Sequence, residues 1–188
     1  MSNYKAIVIG GSAGSFPLIT KILSSLPKNY PFPVFLALHR LKHVRTGFVE
    51  ALSIKANIPV VEPNDKQQIK PGVAYLAPSN YHMYIEPGNV FALSTEEMVK
   101  FSRPAIDLTF ETASAVYRDK LVGVIVSGAN TDGANGIAYV KKRGGLCIAQ
   151  DPKEATISTM PDGAIRAAQM DHILSIDDIV KKLIEVAN

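Results

Sequence analysis

Short, unbroken apolar runs alternate along this sequence with segments of helical period, and few architectures accept that pattern. "YKAIVIG" near the start is β-rich, and the "SFPLITKILSSL" that follows carries apolar residues at helical spacing. "PVFLAL" (33–38) precedes the helix-like "VRTGFVEALSIKA" (44–56), and "LVGVIV" (121–126) precedes a glycine-rich turn and "GANGIAYVKKR". "GLCIAQ" and "HILSI" read as later strands, with "PDGAIRAAQ" and "DDIVKKLIEVA" as helices. A strand that is apolar at every position is buried on both faces. The pattern therefore predicts an α/β fold, with a mostly parallel, doubly wound sheet and flanking helices. The middle of the chain differs. "VAYLAP", "YHMYIE" and "VFALS" are short β segments, with Pro87-Gly88-Asn89 as a turn between the last two. They predict a small antiparallel hairpin or edge unit inserted in the α/β core.

A chain of 188 residues with 47% hydrophobic content can bury one sizeable core. No Ser/Gly/Pro-rich linker divides it, so a single domain over residues 1–188 is expected. The net charge of +3 is too small to argue for nucleic-acid binding. The one cysteine, Cys147, lies in the apolar run "GLCIA" and reads as a small core residue. Without a second cysteine no internal disulfide forms, which suits a reducing compartment. The N-terminus lacks a basic segment followed by a long apolar one, and no stretch approaches the ~20 apolar residues that span a bilayer. The expectation is a soluble cytoplasmic protein that binds no nucleic acid and does not insert in a membrane.

The loop after the first apolar run, "GGSAGS", invites three readings. A dinucleotide fingerprint starting at Gly10 would need glycine where Ser12 and Ser15 stand, so it fails. A P-loop would need a following Gly-Lys-Ser/Thr, which is missing. Gly10-x-Ser12-x-Gly14 does match the nucleophile elbow in its strand-to-helix context. Small flanking residues allow a sharp turn that lifts the serine hydroxyl clear of the sheet. The helix that follows, with Ser15 as a candidate cap and Pro17 in its first turn, offers N–H groups and a positive dipole to an oxyanion. A plain tight turn explains the same glycines.

A nucleophilic serine needs a base and an acid. His39 follows "PVFLAL" directly, so it shares with Ser12 a position at the carboxyl edge of a parallel sheet, where sites in such folds form. His43 lies on or before the next helix and His82 lies in the hairpin. His172 opens a late strand and reads as structural, but it keeps open the Ser…Asp…His order of α/β-hydrolases. Asp132, in "VIVSGANTDGANG", follows a buried strand at a helix start, where an aspartate is also an ordinary N-cap. Asp151 after "GLCIAQ" is placed similarly, and the residues alone leave the two open. A metal site on His39 and His43 is rejected, because Arg40 and Lys42 stand between them where a zinc site has glutamate. Arg40, Lys42 and Arg45 read as a solvated basic cluster, or as an attractor for an acidic substrate surface.

Several longer segments are similar to a known family. "VIGGSAGS", "LALH", "KPGVAYLAPSNYHMYIE", "RPAIDLTFETAS", "VIVSGANTDGANG" and "QDPKEATISTMPDGAI" resemble the catalytic domain of the CheB-type chemotaxis protein-glutamate methylesterases along nearly the whole chain. The resemblance implies a nucleophile at Ser12, a base at His39 and an acid at Asp132, choosing the last over Asp151. It also implies oxyanion contacts from backbone near Ala13 and Ala129, and no metal or organic cofactor. The implied substrates are γ-glutamyl methyl esters on the cytoplasmic helices of methyl-accepting chemotaxis receptors, with deamidation of receptor glutamines as a second activity. The family's receiver domain is not expected in this chain. Family members usually carry glycine at Ser15, Met-Gly at Ala129-Asn130 and Gln-His-Met at Leu38-His39-Arg40. Two other functions fit the same residues: a general esterase of small esters, and a non-catalytic receptor-binding module.

Overall fold

The computed structural model describes residues 2–40 and 46–188. Seven strands form one parallel sheet: β1 (Ala6–Gly11), β2 (Val34–Leu38), β3 (Val60–Val61), β4 (Ala74–Leu76), β7 (Leu121–Ile125), β8 (Leu146–Gln150) and β9 (His172–Leu174), in the spatial order β3-β4-β2-β1-β7-β8-β9. A separate antiparallel hairpin is made by β5 (His82–Glu86) and β6 (Val90–Ser94). The helices are α1 (Phe16–Ser25), α2 (Phe48–Ser53), α3 (Ile106–Tyr117), α4 (Ala134–Lys142), α5 (Thr159–Ala167) and α6 (Ile176–Glu185).

The sheet is covered on both faces, as its unbroken apolar strands require. Side chains alternate across the pleat, so Ile7, Ile9, Val34 and Leu36 meet α1, α2 and α6. Val8, Phe35, Ala37 and Tyr75 face the other way, toward α3, α4, α5 and the hairpin. Phe35, Tyr75 and Phe91 form an aromatic cluster that seats the hairpin on that face.

Strand order sets the position of the site. From β1 the chain steps outward through β2 to the β4/β3 edge, and β7 then begins the other half on the opposite flank of β1. The reversal opens a crevice beyond the carboxyl ends of β1, β2 and β7, the place where open α/β sheets bind ligands.

Two expectations need correcting. "VAYLAP" does not belong to the hairpin unit: its strand β4 pairs in parallel with β2 in the main sheet. Ser15 occupies the N-cap position of α1 but makes no capping bond; its hydroxyl donates instead to the Ser12 carbonyl at 2.6 Å. Of the expected helix over 44–56, α2 covers Phe48–Ser53, and residues 44 and 45 lie outside the described residues. Helix α3 has no counterpart among the sequence-based expectations.

Candidate active site

Ser12 directly follows β1. Its N–H donates to the Ser127 carbonyl at 2.9 Å, tying the turn to the end of β7. Gly14 takes a left-handed φ of 79°, and a Cβ there would stand 2.8 Å from Thr156 and 2.9 Å from the Ser127 hydroxyl. Only glycine fits this turn without displacing its neighbours.

His39 directly follows β2, and its N–H donates to the Gly11 carbonyl at 3.2 Å, extending the β1–β2 ladder to the edge. Its Nδ1 lies 3.2 Å from Ser12 Oγ and its Nε2 lies 2.7 Å from Asp132 Oδ2. With the carboxylate on Nε2, that nitrogen carries the proton, and Nδ1 is left as the acceptor facing the serine hydroxyl. The ring is largely covered, its side chain 13% exposed.

Asp132 is fully buried, at 0% exposure. Besides His39, it accepts the Ile106 N–H at 2.7 Å and the Asp107 N–H at 2.9 Å. It therefore serves the first turn of α3, whereas the N-cap position of its own following helix, α4, is taken by Gly133 at φ 100°. Burial pushes the carboxyl upward. The hydrogen bond from His39, the two backbone N–H groups and the His39 charge outweigh that effect and hold it below the ordinary carboxylate value. Asn130 shapes the approach, its amide oxygen accepting the Asp132 N–H at 3.0 Å.

Asp107 is a site residue that the sequence reasoning missed. Its Oδ1 accepts the Gly133 and Gly136 N–H groups, each at 2.8 Å, at the start of α4. The two helices thus exchange carboxylates: Asp132 before α4 serves α3, and Asp107 on α3 serves α4. Lys100 offsets the charge, its Nζ lying 2.8 Å from Asp107 Oδ2 and 3.0 Å from the Thr131 carbonyl. No local sequence pattern marks Asp107, because its partners are brought to it by the docking of α3 on α4.

The other candidates lie elsewhere. Asp151 accepts the Lys153 N–H at 2.9 Å in the turn after β8 and bonds no histidine among the described residues. His172 stands at the amino end of β9, beside Ser2 and Tyr4. His82 is fully buried, accepting the Ala105 N–H at 3.2 Å and donating to the Glu97 carbonyl at 2.9 Å. His43, Lys42 and Arg45 lie outside the described residues. The Arg40 side chain is not part of a solvated cluster: it is 1% exposed, paired with Glu62 and packed 5.0 Å above the Phe48 ring. Ala13 and Ala129 are both exposed, and among the described residues neither N–H donates to a protein acceptor. A cavity of about 670 Å³ lies at the opposite, amino edge of the sheet against Lys5, Pro33 and Arg118, away from this chemistry.

A serine on a strand-to-helix elbow, a histidine accepting from it and a buried aspartate behind that histidine form the arrangement of an α/β serine hydrolase. The family model for CheB methylesterase matches residues 7–183, and the chain belongs to that family. A relative from Leptospira interrogans is 44% identical over 184 residues, which is 98% of this chain and 95% of the relative. The protein-glutamate methylesterase/protein-glutamine glutaminase of Thermotoga maritima is 32% identical over 97% of this chain, which spans 54% of that protein. The crystal structure of the Thermotoga maritima CheB methylesterase catalytic domain superposes with a TM-score of 0.93, covering 97% of this chain and 98% of that one. The seven-stranded parallel sheet with its added hairpin is thus the family fold.

Proposed function

We propose that this protein is a serine esterase that demethylates γ-glutamyl methyl esters on the cytoplasmic helices of methyl-accepting chemotaxis receptors. The observation that carries the reading is the continuous hydrogen-bonded chain from Ser12 through His39 to the buried Asp132. Ser12 Oγ attacks the ester carbonyl as its proton passes to His39 Nδ1. Asp132 holds Nε2–H and stabilises the imidazolium. Backbone N–H groups of Ala13 and Ala129, which meet no protein acceptor among the described residues, receive the developing oxyanion. Collapse of the tetrahedral intermediate expels methoxide, which leaves as methanol with the proton from His39. Water, deprotonated by the same ring, then releases glutamate from the acyl-enzyme. A glutamine amide runs through the same steps with ammonia as the leaving group. No step calls on a metal or organic cofactor. The reading carries with it a cytoplasmic location, in keeping with the observation that no helix among the described residues is long and apolar enough to cross a membrane.

The test is methanol release from a methylated chemoreceptor cytoplasmic fragment. The intact protein releases methanol, and Ser12→Ala lowers the rate by about 10³-fold or more. Undiminished release from Ser12→Ala would remove the nucleophile assignment. Efficient turnover of small esters alongside an untouched receptor fragment would select the general esterase instead.

A further inference from the structure

The segment between β6 and α3 contains no regular secondary structure beyond a single backbone bridge, yet it is held at root, flank and tip. At the root, the buried His82 ring bonds both the Glu97 carbonyl and the Ala105 N–H. Along the flank, Arg103 donates to the Thr95 and Glu96 carbonyls at 2.5 and 2.7 Å and to Asn80 Oδ1 at 2.9 Å. At the tip, Val99 and Ser102 exchange two backbone bonds of 3.1 and 2.9 Å around a two-residue turn. Lys100 is anchored from that turn to Asp107 and Thr131. Both turn residues are non-glycine with left-handed φ, 48° for Lys100 and 63° for Phe101, a conformation that persists only where surrounding structure imposes it.

This scaffold presents one side chain. Phe101 is 97% exposed, the most exposed large hydrophobic group among the described residues. It lines a cavity of about 70 Å³ together with His39, Ser102 and Pro104. On the other flank of the turn, Val99 lines a groove of about 360 Å³ with Leu108, Ala138 and Tyr139 of α3 and α4, its border carrying Asp107, Glu111 and Lys142. Met98 and Tyr81, both exposed, lie on the two loops that Arg103 joins.

We infer that the Lys100–Phe101 turn is a recognition tooth for a helical protein substrate, a role that rests on the esterase reading above. A small ester needs only the pocket. A glutamyl ester on a helix brings its helix to the rim, and residues three or four positions away share its face. The occupant is thus an amphipathic helix that points one esterified side chain at Ser12 and lays an apolar neighbour against Phe101. The α3/α4 groove takes the adjoining turn. Rigid aromatic anchors of this kind carry a large share of binding energy at protein interfaces.

Binding is measured in a Ser12→Ala background, which preserves the ester, by fluorescence anisotropy of a labelled, methylated chemoreceptor cytoplasmic fragment. Phe101→Ala raises Kd tenfold or more, Phe101→Leu stays within threefold, and neither moves the thermal unfolding midpoint. Equal Kd values for Phe101 and Phe101→Ala, or no binding in the Ser12→Ala protein, would overturn the inference. Methanol release by the intact protein is scored separately. Phe101-dependent binding without release keeps the recognition role and removes the esterase chemistry. Release with Phe101-independent binding does the reverse.

Discussion

Asp132 has no exposed surface and yet stays ionised, because every donor around it is aimed at its two oxygens. In Asp132→Asn, the amide oxygen still accepts from α3, but an NH₂ group turns toward His39. The ring then shifts its proton to the nitrogen facing Ser12, where an acceptor is needed. We expect kcat for demethylation to fall by about 10³–10⁴-fold with the fold retained, checked by steady-state kinetics beside circular dichroism. The same carboxyl sets a pH effect on stability. It ionises below its ordinary value of 3.8 in the folded state, so the unfolded chain binds more protons in that window. Its contribution is complete about a unit above 3.8 and is lost as pH falls through and below it. Urea midpoints measured from about pH 5 to 3 should drop less steeply for Asp132→Asn than for the parent. Ser12 and His39 could be placed at the carboxyl edge of the sheet from the apolar runs they follow; Asp132 shared that placement with Asp151, and only the family resemblance chose between the two. Asp107, Asn130 and His82 were not legible, since their partners are set by helix docking and loop closure rather than by any local pattern.

Helices α3 and α4 hold each other at their N-termini by exchanging carboxylates, so the element pair is a unit that neither sequence segment specifies alone. Gly136 lets them approach: a Cβ there would lie 2.6 Å from the Phe110 Cβ and 3.1 Å from the Asp107 backbone. Asp107→Ala leaves the Gly133 and Gly136 N–H groups buried without their acceptor. It should cost about 1–3 kcal/mol in chemical denaturation and lower kcat, because it loosens the helix contact that seats Asp132. A loss of stability with kcat unchanged would make Asp107 structural only. The helical period of α3 was hard to read because its buried face includes Asp107, Thr109 and Ser114 beside Ile106 and Phe110. Strands β3 and β4 were obscure for a different reason. Two or three residues carry no periodicity, and only tertiary pairing tells an edge strand of the main sheet from an arm of a hairpin.

At the scale of the molecule, the sheet covers its own centre so thoroughly that the single cysteine reports on the whole fold. Cys147 on β8 has no exposed surface, and burial, with Asp171 adding to it, pushes its thiol up to about 12. Reaction with a disulfide reagent should be negligible in the native protein and should appear only with global unfolding, so labelling rate and the denaturation curve should coincide. Fast labelling under native conditions would reveal a separate opening of β8. The alternation of apolar strands with helices made the two-faced sheet legible, because no other architecture hides so many unbroken apolar runs. Strand β1 lies between β2 and β7, with Ser12 and His39 27 residues apart and His39 and Asp132 93 apart. A chain cut between β6 and β7 would keep Ser12 and His39 but lack Asp132, and with it the proposed acid. Turnover can begin only after the second half of the chain has docked on the central strand, so an activity assay counts finished molecules and is blind to collapsed ones.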